Sequence, residues 1–124
     1  MASHIGQVNA TYMNVTDSLW LTEFACADCS LDEAHEFYNQ STSYLDNQLP
    51  YLTHYSYFGA FRSDVSNVGP NAAFLTQKGK LTDIGSWYLG HGATGNRPKG
   101  SASTVAKFAG WSTVVAASIV WSLL

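Results

Sequence analysis

One carboxylate, Glu23, stands inside the otherwise apolar run Leu19-Trp20-Leu21-Thr22-Glu23-Phe24-Ala25. Burying an unpaired carboxylate is costly, so this position calls for a partner or a polar cleft. Farther along, Tyr55, Tyr57 and Phe58 crowd a second apolar run, Tyr51 to Phe61. Side chains alternate along a strand, which puts Tyr55 and Tyr57 on one face and Ser56 and Phe58 on the other. A carboxylate at a strand end beside flat rings is suited to sugars: the acid works at the anomeric carbon and the rings stack on apolar sugar faces. The competing reading is structural, with Glu23 capping a helix or pairing with an arginine and the tyrosines serving as core.

Other chemistry has less to stand on. Cys26 and Cys29 form a C-x-x-C pair. With no second pair and no histidine at zinc spacing, the pattern leaves a local disulfide clamping the loop or two free thiols. A thioredoxin-like redox site would need the rest of that fold, which is not visible. His4, His35, His54 and His91 show no metal spacing, and His35-Glu36 lacks the second histidine of a zinc protease motif. Asp28, Asp32, Glu33 and Glu36 read as a solvated helix start. No G-x-S-x-G, P-loop or G-x-G-x-x-G occurs, and the pattern implies neither a cofactor nor a metal.

These residues need elements to position them. His4 to Met13 has Ile5, Val8, Tyr12 and Met13 near helical spacing, as at the end of a helix. Leu19 to Ala25 is short, nearly continuous in apolar residues and bounded by turn signals, as in a parallel strand covered on both faces. Ser30-Leu31-Asp32-Glu33 is a capping box. Leu31, Ala34, Tyr38, Ser41 and Leu45 then recur at helical spacing up to Pro50. Tyr51 to Phe61 predicts a second strand. A loop follows to Asn71, then an extended stretch with a Lys78-Gly79-Lys80 turn, then a helix from about Thr82 stopped by Gly90 and Gly92. The order is βαβα, an α/β class with a parallel crossover. Two strands neither close a sheet nor bury both its faces, so partner strands are expected from elsewhere.

Composition narrows the class further. The chain has 124 residues, 46% hydrophobic and 12% charged, which excludes a disordered polymer and bounds it to one domain of modest core. The net charge is −3 and the six Lys and Arg are scattered along the sequence, so nucleic acid is set aside as a partner. Three N-x-[ST] sequons, at Asn9, Asn14 and Asn39, fit a secretory route. Residues 92–108 are a small and polar linker, and 109–124 are an uncharged apolar tail of 16 residues. This arrangement matches a glycosylphosphatidylinositol-anchor signal, with Gly100 or Ser101 as the attachment residue. A buried C-terminal helix and a short single-pass anchor are the other two readings of the tail. The first residues carry neither the basic region nor the apolar block of a secretory signal, so the expectation is the C-terminal piece of a longer, secreted, surface-bound protein.

The ordered motifs LWLTEFA, LPYLTHYSYFGAF and VGPNAAFLTQKGKLTDIGSWYLG resemble the C-terminal third of the fungal glycoside hydrolase family 128 enzymes. These are β-1,3-glucanases built on a (β/α)8 TIM barrel. The similarity runs from about Ile5 to His91 and implies that residues 1–91 are the strand-seven-to-helix-eight part of such a catalytic barrel. It further implies that Glu23 is the nucleophile of a retaining mechanism and that β-1,3-glucan of cell walls is the ligand. Tyr57 stands where the family usually has a tryptophan flooring the sugar site, with Tyr55 and Phe58 beside it. The family's acid/base glutamate lies on an earlier strand and has no match here. The resemblance therefore implies an inactive chain that depends on a missing N-terminal barrel part, or a non-catalytic glucan-binding surface protein.

Overall fold

The computed structural model describes residues 1–99. Helix α1 (Ala2–Tyr12) leads through a turn at residues 13–18 into strand β1 (Leu19–Phe24). Helix α2 (Leu31–Gln48) carries the chain back to strand β2 (Leu52–Tyr57), which pairs with β1 in parallel. Two short 3-10 turns, Ser63–Val65 and Pro70–Ala72, precede the last helix, α3 (Asp83–Tyr88). The mixed order and the two-stranded parallel sheet make this a partial α/β fold.

Helix α2 begins where the capping box places it. Ser30 Oγ accepts from the Glu33 N–H, and the Glu33 carboxylate accepts from the Ser30 N–H and Oγ, both at 2.8 Å. Those bonds hold the Glu33 carboxyl below the usual carboxylate range. Ala34, Tyr38, Ser41 and Leu45 are its buried residues, one stripe at helical spacing. Helix α3 starts on Thr82, whose hydroxyl accepts from the Gly85 N–H at 3.2 Å and donates to the Ala73 carbonyl at 2.7 Å. It ends as Gly90 turns to φ 79°, a left-handed conformation that glycine adopts without strain.

Helices α2 and α3 cover one face of the sheet. Phe24 and Tyr57 are buried there with Tyr38, Ala72, Ile84 and the α1 residue Ile5. Each large side chain so buried contributes roughly 1.5–3 kcal/mol. The sequence reading of β1 as a strand covered on both faces is corrected here. Trp20 and Thr22 are exposed, Trp20 at 67%, because no described element lies over that side. The second strand is also shorter than Tyr51–Phe61. It stops at Tyr57 because the chain folds tightly at Gly59, where a Cβ would stand only 2.6 Å from the Ala72 carbonyl oxygen. Of the apolar positions expected to bind α1 to the body, Ile5 alone is buried, while Tyr12 and Met13 are exposed.

Candidate functional site

The carboxylate reaches the surface through an irregularity in β1. Leu21 pairs with Tyr55 and Phe24 with Tyr57, so three steps on β1 match two on β2. Strict alternation would put Glu23 on the side of half-buried Leu21 and Phe24 on the side of exposed Thr22. The extra residue reverses this, leaving Thr22 and Glu23 both exposed and Phe24 buried. A bulge re-aims side chains in this way and is common beside active sites. Phe24 is held inside by Phe37, Tyr55 and Tyr57, with ring centroids 6.3, 5.8 and 5.3 Å away. Its carbonyl accepts from the Phe58 N–H at 2.9 Å, which extends the pairing past the end of β2.

The loop after β1 is braced on the loop after β2. Cys26 and Cys29 form a disulfide, and Asp28 between them takes a positive φ of 55°. The Asp28 N–H donates to the Val68 carbonyl at 3.1 Å, and Asn71 Nδ2 donates to the Cys29 carbonyl at 2.9 Å. Gly69 lies so near that a Cβ there would stand 3.2 Å from the Asp28 backbone. This bracing fixes the rim onto which the C-terminal end of β1 opens.

Glu23 and Phe58 therefore share one edge of the sheet, where both strands end. Phe58 is half-buried against Phe61, centroids 5.3 Å apart. Tyr55 and Tyr57, expected as sugar platforms, are not part of that edge surface. Both lie on the helix-covered face. The Tyr55 hydroxyl donates to Asp46 of α2 at 2.7 Å, and burial followed by that bond pushes its pKa up. Tyr57 is 3% exposed, packed between Phe24, Tyr38 and Phe74. Burial raises its pKa to about 12, and its hydroxyl is the buried polar side-chain atom without a partner among the described residues. A ring that buried is unavailable to a sugar in this chain.

The open face carries an aromatic that motif reasoning passed over. Trp20 lies 4.7 Å from the His54 ring, and with Leu21, Thr22, Tyr55 and Ser56 they line a cavity of about 170 Å³. The i, i+2 spacing of Trp20 from Thr22 puts both on one exposed face of the strand. The cations also differ from the sequence reading of scattered charges. Lys78, Lys80, Arg97 and Lys99 line one cavity.

Of the sequons, Asn14 follows α1, while Asn9 and Asn39 lie within α1 and α2. Gly100, Ser101 and the apolar tail lie outside the described residues. Among the described residues no group of three or more His, Cys, Asp or Glu is placed to hold a metal, and no helix is long and apolar enough to cross a membrane.

No curated protein and no solved structure matches the chain. A family model described as the glycosyl hydrolase catalytic core matches residues 1–88 of the 124, the stretch that contains both strands and all three helices. The match covers Glu23, its bulge and the braced rim, and on that extent the chain belongs to the glycosyl hydrolase catalytic core family.

Proposed function

We propose that residues 1–91 are the strand-seven-to-helix-eight part of a (β/α)8 barrel of the glycoside hydrolase family 128 type, acting on cell-wall β-1,3-glucan, with Glu23 as the nucleophile. The observation that carries this reading is the register slip that delivers Glu23 to the surface at the C-terminal end of a parallel strand. That end is where parallel α/β enzymes place catalytic groups. In a complete barrel Glu23 would attack the anomeric carbon, the glycosidic bond would break with proton donation to the leaving oxygen, and water would release the glycosyl-enzyme. A retaining pair needs a second carboxylate about 5–5.5 Å away. On this reading that carboxylate belongs to an earlier strand, and the open face bearing Trp20 is covered by the same missing part. The chain alone is inactive.

Secretion and a lipid anchor at Gly100 or Ser101 complete the proposal, supported by the sequons and the small, polar, then apolar order of residues 92–124. Release from cells by a phosphatidylinositol-specific phospholipase is the expected behaviour. A mature protein that keeps Trp121 to Leu124 contradicts the anchor. For the catalytic assignment, Glu23→Gln is placed in the full coding sequence including whatever lies upstream of Met1. Loss of β-1,3-glucan hydrolysis is expected, and a normal rate defeats it. Measurable turnover by the present chain alone would equally defeat the claim of a missing acid/base.

A second reading is favoured by Trp20 itself: a non-catalytic glucan-binding surface protein using the exposed indole as the stacking platform. Retention on insoluble β-1,3-glucan that Trp20→Ala abolishes supports it. Flow-through of the unmodified chain opposes it.

A further inference from the structure

Five of the six Lys and Arg, dispersed in sequence, converge in space. Lys78, Lys80, Arg97 and Lys99 line a cavity of about 280 Å³ with Thr76, Gln77 and Asn96, and no carboxylate is among its lining residues. Arg62 borders it, since a Cβ on Gly79 would stand 3.5 Å from the Arg62 Nη2. The sixth, Lys107, lies outside the described residues.

The backbone holds these charges together. On one side, the Lys78-Gly79-Lys80 turn is closed by Thr76 N–H to the Lys80 carbonyl at 2.8 Å and Gly79 N–H to the Thr76 carbonyl at 2.9 Å. On the other, the segment bearing Arg97 and Lys99 is pinned along its length. The Asp83 carboxylate accepts from the N–H groups of Thr94 and Gly95 at 2.6 and 2.7 Å. Asn96 Nδ2 donates to the Leu81 carbonyl at 3.0 Å. The buried Ser63 hydroxyl donates to the Lys99 carbonyl at 2.7 Å and accepts from the Lys99 N–H at 3.2 Å. Two basic segments are thus clamped side by side in a chain whose net charge is −3. Like charges so placed repel, at a cost that an anion between them offsets.

We propose that this cavity is a binding site for a phosphoryl-type oxyanion, a doubly charged group held by Lys78, Lys80, Arg97 and Lys99 with amide and hydroxyl donors from Gln77, Asn96 and Thr76. The guanidinium fork of Arg97 suits two oxygens at once, and the lysines act as point charges. A single carboxylate would neutralise only one of the four lining cations, which favours the dianion. The group could be carried by a phosphorylated sugar or by a lipid headgroup, and the chemistry is common to both. The site is independent of Glu23 and of the glucan reading.

The test titrates the full chain with inorganic phosphate at constant ionic strength, following amide shifts of Lys78–Lys80 and Asn96–Lys99 by NMR. Saturable shifts are expected, weakening as salt is raised. Lys80→Gln and Arg97→Gln should each weaken binding about tenfold, the worth of one charge-assisted hydrogen bond, with melting in phosphate-free buffer unchanged. Glucose 6-phosphate and phosphatidylcholine vesicles containing phosphatidic acid, both phosphomonoesters, are then offered as competitors. Displacement by the first assigns a sugar source and by the second a lipid source. Shifts no larger than those from chloride, binding by both variants as tight as by the unmodified chain, or displacement by neither competitor overturns the site.

Discussion

Tyr57 stacks on Phe74 with ring centroids 5.6 Å apart and planes 15° from parallel. The contact joins the end of β2 to the extended stretch before α3, and the Tyr57 hydroxyl is buried there without a hydrogen bond among the described residues. Removing an orphaned buried hydroxyl while keeping the ring recovers its desolvation cost, about 1 kcal/mol. Tyr57→Phe should therefore melt about 5 °C higher in a domain of this size, whereas Tyr57→Ala should lose about 3–5 kcal/mol. A lower melting temperature for Tyr57→Phe would show that the hydroxyl has a partner after all.

The tyrosines also set the alkaline limit. Burial raises the pKa of Tyr38, Tyr55 and Tyr57, the last to about 12. Their folded values lie above the ordinary value of 10.0, so this contribution is complete below it. It is lost as pH rises toward the folded values. Tyrosinate absorbance should show some of the seven tyrosines ionising late and together with unfolding. A single transition near pH 10 for all of them, with the fold intact, would contradict this.

At the acid end Asp83 matters. Burial pushes its carboxyl up, but the N–H groups of Gly95 and Thr94, the Thr94 hydroxyl and the charge of His35 outweigh that and hold it below the usual 3.8. Its stabilisation is full above that value and is lost as pH falls through the lower folded one. Asp83→Asn should flatten this part of the acid limb and speed hydrogen exchange at the Thr94 and Gly95 amides at neutral pH. Unchanged exchange at both amides counts against the clamp.

Two glycines should respond oppositely to alanine. A Cβ on Gly85 would stand 2.9 Å from Phe74 Cα, and backbone cannot yield, so Gly85→Ala should cost about 1–3 kcal/mol. Gly6 lies inside α1 with nothing within 4 Å of its Cβ position, and Gly6→Ala should gain up to about 1 kcal/mol. Denaturant midpoints moving in one direction for both would refute the packing described.

Reduction of Cys26–Cys29 opens a short loop, worth about 2 kcal/mol by chain entropy. Because Asp28 and Cys29 bond to Val68 and Asn71, the expected local result is faster exchange at the Asp28 amide and a loosened Gly69 turn. An exchange pattern untouched by reductant would mean that those bonds hold the rim without the disulfide.

Much of this fold is legible in local patterns. Ser30 and Glu33 mark the start of α2, Pro50 its end, Thr82 the start of α3, and the short apolar runs mark both strands, because these signals act within a few residues. What escaped depends on long-range pairing. The exposure of Glu23 follows from a register slip against β2 that no property of residues 19–25 alone encodes. Tyr55 and Tyr57 do share a face, as alternation requires, but which face the helices cover is decided by the crossover. The exposure of Trp20 is set by the same crossover. The cations looked dispersed because Ser63, Leu81 and Asp83 draw residues 94–99 back onto the Lys78-Gly79-Lys80 turn.

The two-stranded sheet has a further consequence. Among the described residues each strand has one unpaired edge, a row of N–H and C=O groups turned toward whatever strand arrives. An edge that accepts any neighbouring strand will accept a second copy of the chain just as readily. Expressed alone at high concentration, the chain should associate edge to edge and leave solution, and its colloidal behaviour becomes a measure of how open those two edges are.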